Sequence, residues 1–148
     1  MYAICHIEDQ QVNAIMDSGA GSCVLTEKFL KLMGWGIDAP ADIKFLLADG
    51  KQVKPLGIVH NVPIRFGNFT IPINAYVGES TEYDLIIGNN WLSKAKAMID
   101  YDKLTIAIKW RGRVNDFPIS IEWGVHPSFQ GQDYEENYQD EDEAQTQK

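Results

Sequence analysis

Asp17 stands at the end of an apolar run, Ala14-Ile15-Met16, and is followed at once by Ser18-Gly19-Ala20. Small residues at a strand end form a tight turn, leave a carboxylate uncovered and let backbone N–H groups approach it. Such a carboxylate can hold a water molecule, which is half of a hydrolytic device. Cleaving an amide with carboxylates alone needs an ionised group to take the proton of the attacking water and a protonated one to polarise the carbonyl. Two carboxyl groups about 3 Å apart meet that need, because like charges so close cannot both ionise and the pair shares one proton.

Elsewhere in the chain, Asp49 lies in a turn, Asp84 begins a strand, and Asp100 and Asp102 flank a hairpin; none has the Ser-Gly-Ala context. The second carboxylate must therefore come from a second copy, and a two-fold axis between two Asp17 residues supplies it, since an isologous contact sets a residue opposite its own image. On the tripeptide alone, an ordinary strand-to-loop turn is the commoner reading, for which Asp, Ser and Gly are the usual residues.

Other chemistries fit less well. Gly19-Ala20-Gly21 lacks the Lys-Ser/Thr of a phosphate loop and the spacing of a dinucleotide fingerprint. Ser18 has no nucleophile elbow, and His6, His60 and His126 bear no evident relation to it. Cys5 and His6 are strand neighbours that point to opposite faces. The two cysteines, Cys5 and Cys23, form no C-x-x-C pair and read as buried free thiols, so neither a disulfide framework nor a zinc site is indicated. The expectation is no cofactor and no metal.

The elements that must position Asp17 are short runs rich in Ile, Val, Phe and Tyr separated by turn residues, the pattern of a sandwich or barrel. Tyr2 to Ile7 and Gln11 to Met16 flank Glu8-Asp9-Gln10 as an opening hairpin that runs into Asp17. Thr26 to Met33 reads as a short helix with Phe29, Leu32 and Met33 at helical spacing, Thr26 as N-cap and Gly34 past its end. Ile43 to Ala48 and Gln52 to Leu56 embrace Asp49-Gly50-Lys51, the strongest hairpin signal, with Pro55 implying an exposed edge. Ile58 to Phe66 and Phe69 to Val77 meet at Gly67-Asn68, with Ile64, Phe66, Phe69, Ile71 and Ile73 marking a core face. Asp84 to Ile87 is a compact strand broken by Gly88, after which Asn89-Asn90 cap a short helix carrying Trp91 and Leu92. Met98 to Tyr101 and Leu104 to Trp110 form a last hairpin, and Phe117 to Trp123 adds one more strand. Trp91 is expected in the core.

The chain has 148 residues and 45% hydrophobic content, enough for one domain with its own core and too short for two ordinary ones. The charge is uneven. From Gln130 to Lys148 seven acidic residues face the single base Lys148, so this segment carries -6 of the net -8. The segment is too polar to offset its ordering entropy and is expected to be disordered. A nearly neutral body with an acidic end lacks the footprint that nucleic acid demands. Met1 to Gln10 has no basic flank leading into an apolar stretch, and no run approaches the length of a membrane span. The expectation is a cytoplasmic protein, including retrotransposon particles, that is neither secreted nor membrane-bound; Asn68-Phe69-Thr70 is then a chance sequon.

Ala14-Ile15-Met16-Asp17-Ser18-Gly19-Ala20 near the start, with Tyr83-Asp84-Leu85-Ile86-Ile87-Gly88-Asn89-Asn90-Trp91-Leu92 further on, resembles the retropepsin-like aspartic proteases, in particular those of LTR-retrotransposon polyproteins. The paired motifs are more specific than either alone. The resemblance spans about Ala3 to Lys109 and implies an all-β fold, a small closed barrel with one or two short helices. It implies that Asp17 is catalytic within the loop Ser18, Gly19 and Ala20, that the Ser18 hydroxyl braces paired loops across a dimer axis, and that Ile86, Ile87 and Gly88 are structural support. Ala48, Asp49, Gly50 and Lys51 fall where the family places its flap, which closes over substrate and hydrogen-bonds an extended peptide. Gly21 departs from the family, which more often has Asp or Ser there. Only 16 residues precede Asp17, leaving little N-terminal segment for an interdigitated dimer sheet.

The sequence thus points to a protease domain over residues 1–123 and an acidic tail over 124–148. The function implied is an aspartic endopeptidase, homodimeric, cutting extended peptides such as its own polyprotein, with apolar preference from Ile15, Ile86, Ile87 and the flap strands. The rival is a retropepsin-like fold kept as a dimerisation or peptide-binding module without turnover, since a fold does not establish activity.

Overall fold

The computed structural model describes residues 1–46 and 49–121. Strands β1 (Tyr2–Ile7) and β2 (Gln10–Met16) form the opening hairpin, with Tyr2 opposite Ile15 and Cys5 opposite Val12. Their period-two alternation sends Ala3, Cys5, Ile7, Val12, Ala14 and Met16 inward. After the loop that begins at Asp17 come β3 (Cys23–Thr26) and helix α1 (Glu27–Met33). Thr26 caps the helix, its Oγ1 accepting from the Phe29 N–H at 3.2 Å, and Gly34 ends it with φ 73°. The buried face of α1 is Phe29 and Leu30; Leu32, expected inside, is 64% exposed. In a helix of two turns only one narrow stripe meets the barrel, and Leu30 rather than Leu32 shares it with Phe29.

The hairpin around Asp49-Gly50 is reduced to β4 (Phe45–Leu46) and β5 (Gln52–Val53). Its turn is held by Asp49 Oδ1, which accepts from the Lys51 N–H at 3.0 Å, and Gly50 takes φ 88°. Pro55, expected at an exposed edge, is buried at the hairpin's root, where the chain turns inward to start β6. The long hairpin β6 (Gly57–Phe66) and β7 (Phe69–Gly78) turns at Gly67 and carries an irregularity between Val59 and Val62, where Asn61 adopts φ 55°. Ile73, expected inside, is only partly buried beside that bulge.

The short strand β8 (Leu85–Ile87) lies between β2, to which it is parallel, and β3, to which it is antiparallel. The resulting closed barrel has the order β1-β2-β8-β3-β7-β6, with β6 returning to β1. Helix α2 (Asn89–Lys94) follows. It buries Trp91 completely, with the indole N–H donating to the Ile71 carbonyl at 3.2 Å and the ring 5.3 Å from that of Phe66. Strands β9 (Met98–Asp100), β10 (Thr105–Trp110) and β11 (Arg113–Pro118) make a second, three-stranded sheet.

The last strand expected, Phe117 to Trp123, is therefore misplaced. The strand starts at Arg113, after a tight turn in which Arg111 and Gly112 take positive φ, and ends at Pro118. Its residues are nearly all exposed and show no apolar alternation, so only Arg111-Gly112 marked it. Ser120 then pairs with Tyr2, the two exchanging backbone hydrogen bonds of 2.7 and 2.8 Å. Among the described residues no helix is long and apolar enough to cross a membrane. Trp123, His126 and the acidic segment lie outside the described residues.

Gly88 is where the fold leaves least room. A Cβ there would stand 2.5 Å from the Ser22 carbonyl oxygen and 2.8 Å from that of Ala20, both backbone atoms. Gly21, in the same loop, has open space around its missing Cβ. Gly88→Ala is expected to cost about 1–3 kcal/mol in urea unfolding, while Gly21→Ala stays within about 0.5 kcal/mol; equal effects would refute this packing.

Cys5 and Cys23 sit inside the barrel, and burial pushes their thiols up to about 12 and about 11 from an ordinary 9.0. The folded state thus keeps both thiols neutral where the unfolded chain ionises them. Proton release favours unfolding there, so stability should hold below about pH 9 and fall as pH rises toward 12. Alkaline denaturation of wild type against Cys5→Ala checks this: the variant should show the shallower fall above pH 9.

Candidate active site

The chain leaves β2 at Met16, and the Asp17 N–H donates to the Ile87 carbonyl at 3.0 Å, which ties the first residue of the loop to the end of β8. The loop closes on itself through the Ala20 N–H to the Asp17 carbonyl at 3.1 Å. The Gly19 N–H donates to Asp17 Oδ1 at 2.8 Å. A Cβ on Gly19 would come within 3.1 Å of that same oxygen, so the glycine lets the backbone donor reach the carboxylate. The Asp17 side chain is exposed, and no protein donor to its Oδ2 is found among the described residues. One oxygen is held and the other is open.

Beyond Ile87 the chain passes beneath this loop. The Asn89 and Asn90 N–H groups donate to the carbonyls of Ala20 and Gly21 at 2.8 and 3.1 Å. The Asn89 side-chain amide donates to the Ser18 carbonyl at 2.7 Å. Asn90 bridges two strands: its Oδ1 accepts from the Cys23 N–H at 2.9 Å and its Nδ2 donates to the Asn74 carbonyl at 3.0 Å. The expectation that Asn89-Asn90 cap α2 is corrected here. The N-cap is Gly88, without a side-chain cap, because both amides are committed to the loop and the neighbouring strands. The Cys23 thiol sits under the same crossing and accepts from the Gly88 N–H at 3.4 Å.

Asp17 opens onto a cleft of about 610 Å³ bounded by its own loop, by β4 and the root of β5, and by the segment after β7. Val24, Val77 and Ile86 supply an apolar floor, and Leu46 and Val53 overhang it from the hairpin. That hairpin is anchored from behind, where the Phe45 ring meets Tyr76 edge to face at 5.4 Å and the Tyr76 hydroxyl donates to Asp42 Oδ1 at 3.2 Å.

Of the residues that the sequence singled out, Asp17, Gly19, Ala20 and Ile86 meet at the cleft. Asp49, Gly50 and Lys51 form the tip of the overhanging hairpin, and Ala48 lies outside the described residues. Ile15, Ile86 and Ile87 do not share one pocket. Successive strand residues face opposite ways, so Ile87 is sealed in the core while Ile86 faces the cleft. Ile15 lines a neighbouring opening with Tyr2, Glu82 and Tyr83. Sequence reasoning missed Lys54, Glu79 and Tyr83, which also line the cleft. Lys54 and Glu79 lie between the two recognisable motifs and Tyr83 opens the second, but nothing in the local sequence marks any of them as facing a cleft.

A family profile described as "gag-polyprotein putative aspartyl protease" matches residues 3–94. The DNA damage-inducible protein 1 of Yarrowia lipolytica is 32% identical over 102 residues, covering 68% of this chain and 25% of that protein. The UBA domain-containing protein Mud1 of Schizosaccharomyces pombe is 27% identical over 110 residues, covering 73% of this chain and 32% of its own length. The chain thus spans about a quarter to a third of these relatives. Among solved structures, the retroviral protease-like domain of Ddi1 from Leishmania major superposes with a TM-score of 0.66 at 25% identity, covering 84% of this chain and 96% of that one. The EIAV protease complexed with the inhibitor HBY-793 has a TM-score of 0.56 at 20% identity, over 68% of this chain and 91% of that one, and shares the fold. With the Asp17 loop braced by β8 and α2 inside this barrel, the chain belongs to the gag-polyprotein aspartyl protease family and forms a retropepsin-like aspartic protease domain.

Proposed function

We propose that the chain is one half of a homodimeric aspartic endopeptidase, with Asp17 supplying that half's catalytic carboxylate. The observation that carries this reading is the Asp17 carboxylate at the mouth of a peptide-sized cleft, with Oδ1 fixed by the Gly19 N–H and Oδ2 open. A binding module has no need of an uncovered carboxylate held in this way.

In the dimer the two Asp17 side chains face each other across the axis and share one proton. The ionised one takes a proton from water as the oxygen attacks the scissile carbonyl. The other donates to the carbonyl oxygen, and the tetrahedral intermediate collapses as the amine leaves with a proton from the pair. No covalent intermediate forms and no metal takes part. The Ser18 hydroxyl braces the paired loops, and the hairpin around Asp49, Gly50 and Lys51 closes over the peptide, excludes water and hydrogen-bonds its backbone.

The substrate is an extended peptide, and the family's description supports polyprotein processing as the role. The relatives support a second reading, in which the domain is a part of a larger protein and cuts another substrate.

Asp17→Asn should lower cleavage of a diverse peptide mixture at mildly acidic pH by about 10²–10⁴-fold or more. Wild-type rate should rise more steeply than linearly with chain concentration. Equal turnover by wild type and variant refutes the assignment of Asp17. If both chains are inert while folded and dimeric, the silent binding module takes its place.

A further inference from the structure

Among the described residues, two charged side chains on the cleft rim make no hydrogen bond or ion pair. Glu79 follows β7, and Lys54 lies at the root of the β4–β5 hairpin; both are exposed and both line the cleft that Asp17 opens onto. The ion pair among the described residues is Lys28 with Asp84 at 3.8 Å, so Asp84, further along the same segment, is answered from α1, while Glu79 and Lys54 are not. Their segments run side by side. The Leu56 N–H donates to the Val77 carbonyl at 2.9 Å and Gly57 stands opposite Val77, which brings the chain just before β6 alongside the chain just after β7. Opposite charges on adjacent segments that leave each other unpaired present two separate complementary points to anything lying in the cleft.

The surfaces between and below them are apolar or neutral. Val24, Val77 and Ile86 form the floor, and Gly78 keeps it open, since a Cβ there would come within 3.2 Å of Val24 Cγ1. Tyr83, half-buried beside Gly78, has its phenol pushed up by burial and stays neutral. Besides Asp17, the cleft therefore offers an apolar centre with one carboxylate, Glu79, and one ammonium, Lys54, at its edge.

We propose that Glu79 is a specificity-determining residue that selects a basic side chain of the bound peptide, and that Lys54 selects an acidic side chain at a different position along it. The inference rests on the peptide-cleaving reading above for its ligand and concerns selection, not the chemical step. The substrate class is an extended peptide, apolar at the scissile bond, with a base and an acid at separate flanking positions. A second copy would repeat the pair at the other end of the cleft.

Fluorescent peptides with a fixed apolar centre, carrying Lys, norleucine or Glu at each flanking position in turn, would be titrated against the full chain bearing Asp17→Asn, so that binding is read without turnover. At one position Lys should bind about threefold more tightly than norleucine, the scale of an exposed ion pair. Adding Glu79→Gln should bring that ratio to about one, and Glu79→Lys should invert it in favour of Glu. Lys54→Gln should remove a preference for Glu at another position. Both preferences should shrink in 1 M salt. A Lys preference that survives Glu79→Gln, or the lack of any positional charge preference, overturns the proposal. Failure of the wild-type chain to cleave peptides that its Asp17→Asn variant binds with these preferences would count against the peptidase reading alone. Binding of no peptide at all overturns both.

Discussion

The passage of Gly88 beneath the loop that carries Asp17 is the constraint on which the rest of the structure depends. Strand β8 enters between β2 and β3, the strands that bring the chain into and out of that loop, and must leave under it. Only a residue without a side chain fits, because two backbone carbonyls occupy the space of a Cβ. From that crossing follow the hydrogen bonds from Asn89 and Asn90 to the loop and the side-chain bridges to Ser18, Cys23 and Asn74. Trp91, anchored in the core one residue later, sets the height at which α2 begins. Asp17 is tied by backbone groups at its N–H, its carbonyl and its Oδ1, so the position of its carboxylate is a property of the fold and not of one flexible side chain.

This frame also explains an asymmetry in the cleft. The floor beneath Asp17 is built from strands whose other faces are the barrel core, and so it is rigid and apolar. The roof is a two-residue-deep hairpin that, among the described residues, is tied down by the Phe45–Tyr76 ring contact and, beside it, the Tyr76–Asp42 hydrogen bond. Elements with few buried contacts open at low cost, which suits the proposed part of this hairpin in admitting and releasing a peptide. The cleft of one chain contains one Asp17, and two-fold symmetry is the economical way to bring a second identical carboxylate to it.

Much of this was legible in the sequence, wherever a physical rule has one solution. Alternation through Ile64, Phe66, Phe69 and Ile71 marked an inward face, Thr26 and Gly34 bounded α1, and Asp49-Gly50 marked the hairpin above the cleft. Asp17 and Gly88 stood out because each sits where an apolar run stops at small residues. What escaped was decided by tertiary contacts. Leu30 and not Leu32 meets the barrel; Asn89 and Asn90 serve the loop in place of the helix; Pro55 is covered by the hairpin root; β11 is mostly polar and exposed, held by pairing with β10 and by Phe117 against Phe66 and Phe69. Lys54, Glu79 and Tyr83 are cleft residues only because β6 and β7 place their flanks together, which no local pattern records.

The central claim is that catalysis requires an Asp17 from each of two chains. Titrating wild-type chain with an excess of Asp17→Asn chain, while following cleavage of one peptide, tests it directly. Mixed dimers hold a single ionisable Asp17, so activity should fall toward zero as the variant captures wild-type chains, with a dependence set by random pairing. A rate that tracks the wild-type concentration alone, unaffected by the variant, would contradict the account.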